Sequence, residues 1–507
     1  MQVQAEQNRA SGLRRFRPRP SWSRMLALAG LIVAALFFAT AVTAYIVDFV
    51  YHTGAVLNWY DLNVYNDAGL ITRHLPSILY SWGLTPTVKF TYTPFAAVVF
   101  AGGSLMPFAT LRWVMTVAGL ISIPLTAWLT LGAMGRRGMS RAAVALAVGA
   151  IALWTEPVTK ALSLGQIEPL LLLLVVWDLT RPDKRWWKGV GIGLAAGIKL
   201  VPLIFIPYLL LAGKIRQAAV ATGTFAVTIA VGFIVLPGPS SLYWLTGYFV
   251  RPGRTGAVDA LVNQSLLGLL ARQFGGVTAT QPVWLPIALG VALIGVAAGA
   301  LLSRAGKPVQ GWTLVGITGV LVSPISWDHH WVWIVPFLAM LAGLAMAARG
   351  RLARSGYLVA FLLTAAVFGA WPERYSGPDA YIPGRGLLGW YVRPPEIYQV
   401  THLHGVKFWT WNLFVLGGCV LYLAMLLGLW LLWRAGRPRR AKAAPAVASE
   451  TDALLARADA VLKGDPPSDE HAACSPQASG QLNGGQLNGA GQTADRRQSG
   501  RRPAATP

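Results

Sequence analysis

Carboxylates are scarce in this chain: 20 Asp and Glu stand against 43 Lys and Arg, so an acid in an apolar neighbourhood asks for a reason. Cysteine is scarcer, with Cys419 inside the last apolar run and Cys474 in a polar tail. That spacing excludes a disulfide framework, and no ligand-spaced Cys/His group suggests a zinc site. Charged residues make up only 12% of the sequence, too few for the surface of an ordinary soluble domain. No period-two alternation of apolar and polar residues argues for a barrel. The deficit of acids leaves a net charge of +23, yet the basic residues fall in short clusters between apolar runs. Membrane orientation and anionic headgroups account for such clusters, so nucleic acid is not implied.

What is present is apolar: 54% hydrophobic residues and 21 Trp, in runs long enough to cross a hydrocarbon core of about 30 Å. Runs lie near 25–47, 113–134, 142–156, 164–178, 217–236, 284–302, 311–325, 331–347, 357–371 and 410–433. Segments 93–108 and 189–211 are also apolar but are interrupted by Pro or Lys. The expectation is an all-α polytopic membrane protein with ten to twelve transmembrane helices. The first run is too long for the apolar region of a secretory signal and lacks a close cleavage site, so it reads as an anchor. Arg9, Arg14, Arg15, Arg17, Arg19 and Arg24 precede it with Glu6 the single acid, which keeps the N-terminus cytoplasmic.

If 93–108 and 189–211 both cross, Arg136, Arg137, Arg141 and the cluster Arg181, Lys184, Arg185 and Lys188 fall on the outer side. If both are half-membrane hairpins, every basic cluster returns to the cytoplasm, and irregular backbone at depth is tolerated where it lines a cavity. Either way both termini are inside, and three hydrophilic stretches, 48–92, 238–283 and 372–409, face outward. The domain plan is a basic arm over 1–24, a membrane domain over 25–433, and a tail over 434–507. The tail is rich in Ala, Pro, Gly, Ser and Gln, repeats QLNG, and reads as disordered and cytoplasmic.

Chemistry is sought on the outer stretches. "NWYDLNVYNDAG" (58–69) reads as an amphipathic helix at the bilayer surface, with Leu62, Tyr65, Gly69 and Leu70 at helical spacing. Asp61 at its start is either a helix cap or a general base. Asp67 falls on another face and reads as solvated. "SPISWDHHWVW" (323–333) places Asp328, His329 and His330 between two apolar spans. Charge at that depth calls for solvent, a partner or a ligand, although a polar turn inside an aromatic belt is the plainer reading. Neighbouring histidines do not easily present both rings to one ion, so no metal is expected. Lys199, a lone cation followed by Pro202, either snorkels to the surface or faces a cavity and meets a phosphate. Gln166 and Glu168 head the run from 164 as caps or as cavity groups. Tyr92, Asn263 and Gln264 supply further outer polar groups.

Six stretches occur in order: "YDLNVYNDAG", "FTYTPFAAVVFAGGSLMP", "LSLGQIEPLLLLLVVWDL", "GLAAGIKLVPLIFIPYLLL", "NQSLLGLLAR" and "SPISWDHHWVWIVP". From about residue 25 to 433 the chain resembles glycosyltransferase family 87, the polyprenol-phosphate-mannose-dependent mannosyltransferases. Thr93 stands where that family often has Pro. The resemblance implies a GT-C-type fold with outer-face amphipathic helices, in the plasma membrane, with the active site on the periplasmic side. It implies inverting transfer of mannose from a polyprenyl-phosphate-mannose donor to a phosphatidylinositol mannoside in α-1,2 linkage, with no cofactor and with Asp61 as base. His329, His330, Lys199, Asn263, Gln264, Tyr92, Asp328 and Gln166 are the candidates for donor phosphate or substrate binding, with Arg251 or Arg254 as further cations. Branching of lipomannan or lipoarabinomannan is the alternative acceptor chemistry. Glycolipid transport is a separate reading, disfavoured because no internal repeat is seen and the polar candidates collect on one face.

Overall fold

The computed structural model describes residues 21–51, 59–85, 88–251, 254, 256–369 and 402–436. The arm over 1–20, most of the third outer stretch (370–401) and the tail from 437 lie outside the described residues. What is described is helical apart from one small antiparallel hairpin, β1 (Gly83–Thr85) with β2 (Val88–Lys89).

The chain opens with α1 (Ser21–Tyr51), and α2 (Tyr60–His74) follows as the amphipathic helix read from the sequence, burying Leu62, Val64, Tyr65, Ala68 and Gly69. Leu70 lies on its exposed side. After the hairpin come α3 (Pro94–Gly103), α4 (Phe108–Ala133), α5 (Gly138–Leu153), α6 (Glu156–Ser163) and α7 (Glu168–Leu179). Then follow α8 (Val190–Ile198), a short 3-10 turn (Val201–Ile204), α9 (Phe205–Leu211) and α10 (Ile215–Val235). The second half holds α11 (Leu266–Phe274), α12 (Val277–Arg304), α13 (Pro308–Val322), a 3-10 turn (Asp328–Trp333) and α14 (Ile334–Ala347). It ends with α15 (Arg351–Val367), α16 (Val406–Trp411) and α17 (Leu413–Gly436).

Among the described residues, six helical stretches are long and apolar enough to cross a membrane: 22–47, 108–133, 215–235, 280–304, 328–347 and 413–435. A seventh is added if α6 and α7, bent by 118° at residues 164–167, count as one span. The exposed apolar residues of α1, α12 and α17, such as Leu36, Leu293 and Leu427, are then lipid-facing, and the chain is a multi-pass membrane protein. The remaining apolar helices are shorter, α3, α5 and α13 among them.

The interrupted segment 189–211 turns back. Lys188 before α8 and Lys214 after α9 bond the same carboxylate, Asp183, at 2.8 and 3.1 Å, so 189–211 leaves and re-enters one end of the bundle. Asp178 fixes the start of α8 by accepting from the amides of Gly189 and Ile192 at 2.9 and 3.0 Å, two of the donors a helix N-terminus leaves free. At the opposite end α3 packs along α2, Arg73 reaches the carbonyl of Ser104, and the Arg112 guanidinium near the start of α4 lies 4.6 Å from the Trp59 ring. The start of α3 and the start of α4 are thus both beside α2.

Candidate active site

The site begins with an unusual helix start. Trp59, immediately before α2, has φ 42°, and no side chain caps the helix. Instead the carbonyls of Ser163 and Leu164 accept from the amides of Trp59 and Leu62, each at 3.1 Å. The elbow between α6 and α7 therefore supplies the capping that one of the two readings of Asp61 assigns to its side chain. Gly165 makes this approach possible: its φ is 67°, and a Cβ there would sit 2.7 Å from Leu62 Cβ.

Freed from capping, Asp61 turns to Gln166, whose Nε2 donates to Oδ2 at 2.5 Å. The amide's orientation is fixed from its other side. Gln166 Oε1 accepts from the hydroxyls of Tyr65 at 2.5 Å and Tyr92 at 3.2 Å, and those hydroxyls are 2.6 Å apart. Burial holds the Asp61 carboxyl above its ordinary pKa of 3.8 and Glu168 pushes the same way, while His329, the Gln166 amide and Lys199 pull it down. Burial likewise keeps Tyr65 and Tyr92 firmly protonated and so able to donate.

Beside this carboxylate lies a second cluster. Lys199, at the end of α8, does not snorkel to the surface. Its ammonium pairs with Glu168 Oε1, stands 2.9 Å from His330 Nε2 and lies 5.4 Å from the centre of the Tyr92 ring. The His329 and His330 rings meet edge to face at 4.7 Å. Glu168 Oε2 and His329 Nε2 are buried without a polar protein partner. One ligand atom each from Glu168, His329 and His330 fall within 4.8 Å of one another, a separation that a metal ion tolerates. Glu168 and His330 are engaged by the Lys199 ammonium, which brings its own positive charge to that spot.

Glu168, Lys199 and His330 line an apolar cleft. From Glu168 it follows α7 past Leu171, Leu172 and Val175, about 10 Å at 1.5 Å per residue, and it is closed by Pro202, Phe205, Val320 and Trp333 among others. A polar cluster thus adjoins a slot suited to hydrocarbon.

The other candidates are placed differently. Asp328 is buried and paired with Lys160, and its Oδ1 accepts from the His329 amide at 2.7 Å and stands 3.3 Å from His329 Nδ1. It braces the histidines. The aromatic-belt reading of this segment gives way, because Trp331 and Trp333 are buried in the core. Asn263 and Gln264 are fully buried with their amides committed to backbone groups: Asn263 to Val258, Pro324 and Ser326, and Gln264 to Leu261, Trp411, Phe414 and Val415. They hold loops together and have no amide group left for a ligand. Arg254 reaches the carbonyls of Thr91 and Phe249, while Arg251 is exposed beside Tyr248. Thr93 caps α3 by accepting from the Ala96 amide at 3.1 Å and donates to the carbonyl of Gly197.

Sequence reasoning left Glu168 outside the candidate set and did not single out Lys160. Lys199 is the signal that points to Glu168, since a lone cation in an apolar run requires an anion within reach. Asp328 points to Lys160 in the same way.

A helical bundle whose polar groups gather at an apolar cleft is the architecture of a membrane-embedded enzyme. The chain belongs to glycosyltransferase family 87, whose model matches residues 90–324. It is 33% identical over 346 residues to a Mycobacterium tuberculosis protein named polyprenol-phosphate-mannose-dependent alpha-(1-2)-phosphatidylinositol pentamannoside mannosyltransferase. That match covers 66% of this chain and 77% of the relative. A protein of the same name in Mycolicibacterium smegmatis is 30% identical over 382 residues, 74% of this chain and 88% of the relative. A second M. tuberculosis relative, named as a polyprenol-phosphate-mannose-dependent alpha-(1-2)-phosphatidylinositol mannoside mannosyltransferase, is 29% identical over 283 residues, 54% of this chain and 66% of its own length. No solved structure matches the chain.

Proposed function

We propose that the chain transfers mannose from a polyprenyl-phosphate-mannose donor to a phosphatidylinositol mannoside, in α-1,2 linkage and with inversion, in a GT-C-type fold. The observation that carries the reading is the adjacency of a carboxylate held by Gln166 to an ammonium and imidazole at an apolar cleft. The acceptor hydroxyl attacks the anomeric carbon and its proton passes to Asp61. The bond from that carbon to the phosphate oxygen breaks with its electron pair, and polyprenyl phosphate departs. Phosphate needs no proton to leave, so a second carboxylic acid of the glycosidase kind is unnecessary. Lys199 exchanges Glu168 for the donor phosphate, His330 adds a hydrogen bond, and the polyprenyl chain occupies the slot along α7. The names of the two relatives with the widest overlap favour a pentamannoside acceptor over lipoglycan branching.

Ten crossings suit the helix ends best: α1, α4, α5, the bent pair α6 and α7, α10, α12, α13, α14, α15 and α17. The segments 93–108 and 189–211 then enter as hairpins from opposite faces, and every basic cluster is cytoplasmic while Asp61 faces outward.

The test is mannose transfer from polyprenyl-phosphate-mannose to a phosphatidylinositol pentamannoside by purified native and Asp61→Asn protein. Transfer by the native chain, reduced at least about a hundredfold in a folded Asp61→Asn variant, is expected. Equal transfer by both removes Asp61 as the base, and none by the native chain removes the acceptor assignment.

A further inference from the structure

Arg272 is fully buried on α11, and the polar contacts of its guanidinium are neutral acceptors. Nε and Nη2 both donate to Asn412 Oδ1, at 3.0 and 2.7 Å, and Nη1 donates to the carbonyls of Ala260 and Asn263, each at 2.8 Å. The Asp259 carboxylate favours the cation through space, but every hydrogen bond goes to a neutral acceptor, so burying the guanidinium is costly and the fold uses it for something that an apolar residue cannot do. The three acceptors belong to two separate stretches, the loop before α11 and the junction of α16 with α17. One planar fork fixes them together.

The loop pinned by Arg272 is the one that carries the histidine segment. Asn263 Oδ1 accepts from the Ser326 amide at 2.9 Å, the Gln264 amide donates to Ser326 O at 2.7 Å, and the Asp328 amide donates to Val262 O at 2.9 Å. Trp331 Nε1 donates to Gln264 O at 3.2 Å. The stretch 326–331, with His329 and His330 in its middle, is therefore hung on 262–264 by bonds on both sides of the pair.

We infer that Arg272, acting through Asn263 and Gln264, is a positioning residue that sets where His329 and His330 stand over the cleft, a role that rests on the proposed transfer reaction for its catalytic meaning. It touches no reacting atom. Without the fork, the Asn263 carbonyl and Asn412 Oδ1 are left buried and unpaired while Ala260 O keeps only the Asn263 amide, and the loop opens locally to find water. A misplacement of about 1 Å at a reacting centre costs up to roughly a hundredfold in rate.

The test uses the full chain in nanodiscs, comparing native protein with Arg272→Lys, Asn412→Ala and Asn412→Asp. Arg272→Lys keeps the charge and loses the fork, whereas Asn412→Asp offers a carboxylate to the same two donors. Hydrogen exchange of the peptide spanning 323–334 should quicken about tenfold in Arg272→Lys and Asn412→Ala, with 215–235 unchanged, and stay native in Asn412→Asp. Transfer per folded molecule should fall at least about tenfold in kcat for the first two, with donor KM within about threefold, and be kept in Asn412→Asp. Unchanged exchange at 323–334, or a loss of protection spread evenly over the helices, overturns the inference. If the native chain transfers no mannose, the proposed reaction fails, but the exchange pattern still decides whether Arg272 holds the histidine segment.

Discussion

Gln166, after burial, His329 and Glu168, contributes to the state that Asp61 presents. Its amide donates to one carboxylate oxygen, which lowers a pKa that burial has raised, and the two tyrosines prevent the amide from flipping. A general base works deprotonated, so the proposed role of Asp61 predicts an acid limb of kcat/KM that follows its pKa and lies above the ordinary 3.8. Removing the donor raises that pKa further. In Gln166→Leu the acid limb should move to higher pH, read from pH-rate profiles of native and variant enzyme. A limb that stays in place would mean that Asp61 is not the group titrating. Asp328 invites a different test, since it and Lys160 are buried together. Asp328→Ala leaves an unpaired ammonium and should destabilise the protein by about 3–5 kcal/mol, whereas Asp328→Leu combined with Lys160→Met should recover most of the loss. Thermal unfolding in detergent distinguishes the two. Asp61, Lys199 and His330 were legible in the sequence because charge in an apolar stretch is conspicuous. Glu168 was noticed as a cap or a cavity group but left off the binding candidates, because an acid at the head of a helix has an ordinary explanation as a favourable neighbour of its first turn.

Among the elements, the elbow between α6 and α7 matters most. It caps α2, carries Gln166 at its tip and Glu168 at the start of α7, and so serves both halves of the site. The sequence reads a span from 164, and the elbow shows there as Gly165 and Pro169 flanking the polar Gln166 and Glu168. Gly165→Ala forces a Cβ onto a left-handed backbone and against Leu62. It should cost about 1–3 kcal/mol and shift Gln166 away from Asp61. The expected result is a lower Tm together with a fall in kcat larger than that of an Ala substitution at the open Gly102, where a Cβ meets nothing within 4 Å. The α8–α9 hairpin shows the same logic. Lys199 sits where α8 ends, and the 3-10 turn containing Pro202 sends the chain back.

For the whole molecule, the shared bond partner of Lys188 and Lys214 brings the two ends of 189–211 together, which bears on one of the two segments that hydropathy left open. Sidedness follows as a prediction. With Cys419 and Cys474 changed to Ser, Ser81→Cys should react with a membrane-impermeant maleimide in intact cells, and Lys184→Cys only after the membrane is opened. The reverse pattern would place Asp61 on the cytoplasmic side and sink the proposed topology.

The sequence by itself determined that this is a helical membrane protein, roughly where its apolar helices run, and which charged residues lie in or beside apolar runs and call for a partner. Those are consequences of composition and of periodicity along the chain, which need no partner to be visible. Only the tertiary structure decided that Asp61 meets Gln166 rather than its own helix start, that Lys199 faces Glu168 and His330, and that Asn263 and Gln264 are braces. These pairings join residues between about 30 and 150 positions apart. The energy of each depends on burial and on the direction of a donor, quantities that exist only once the helices have packed.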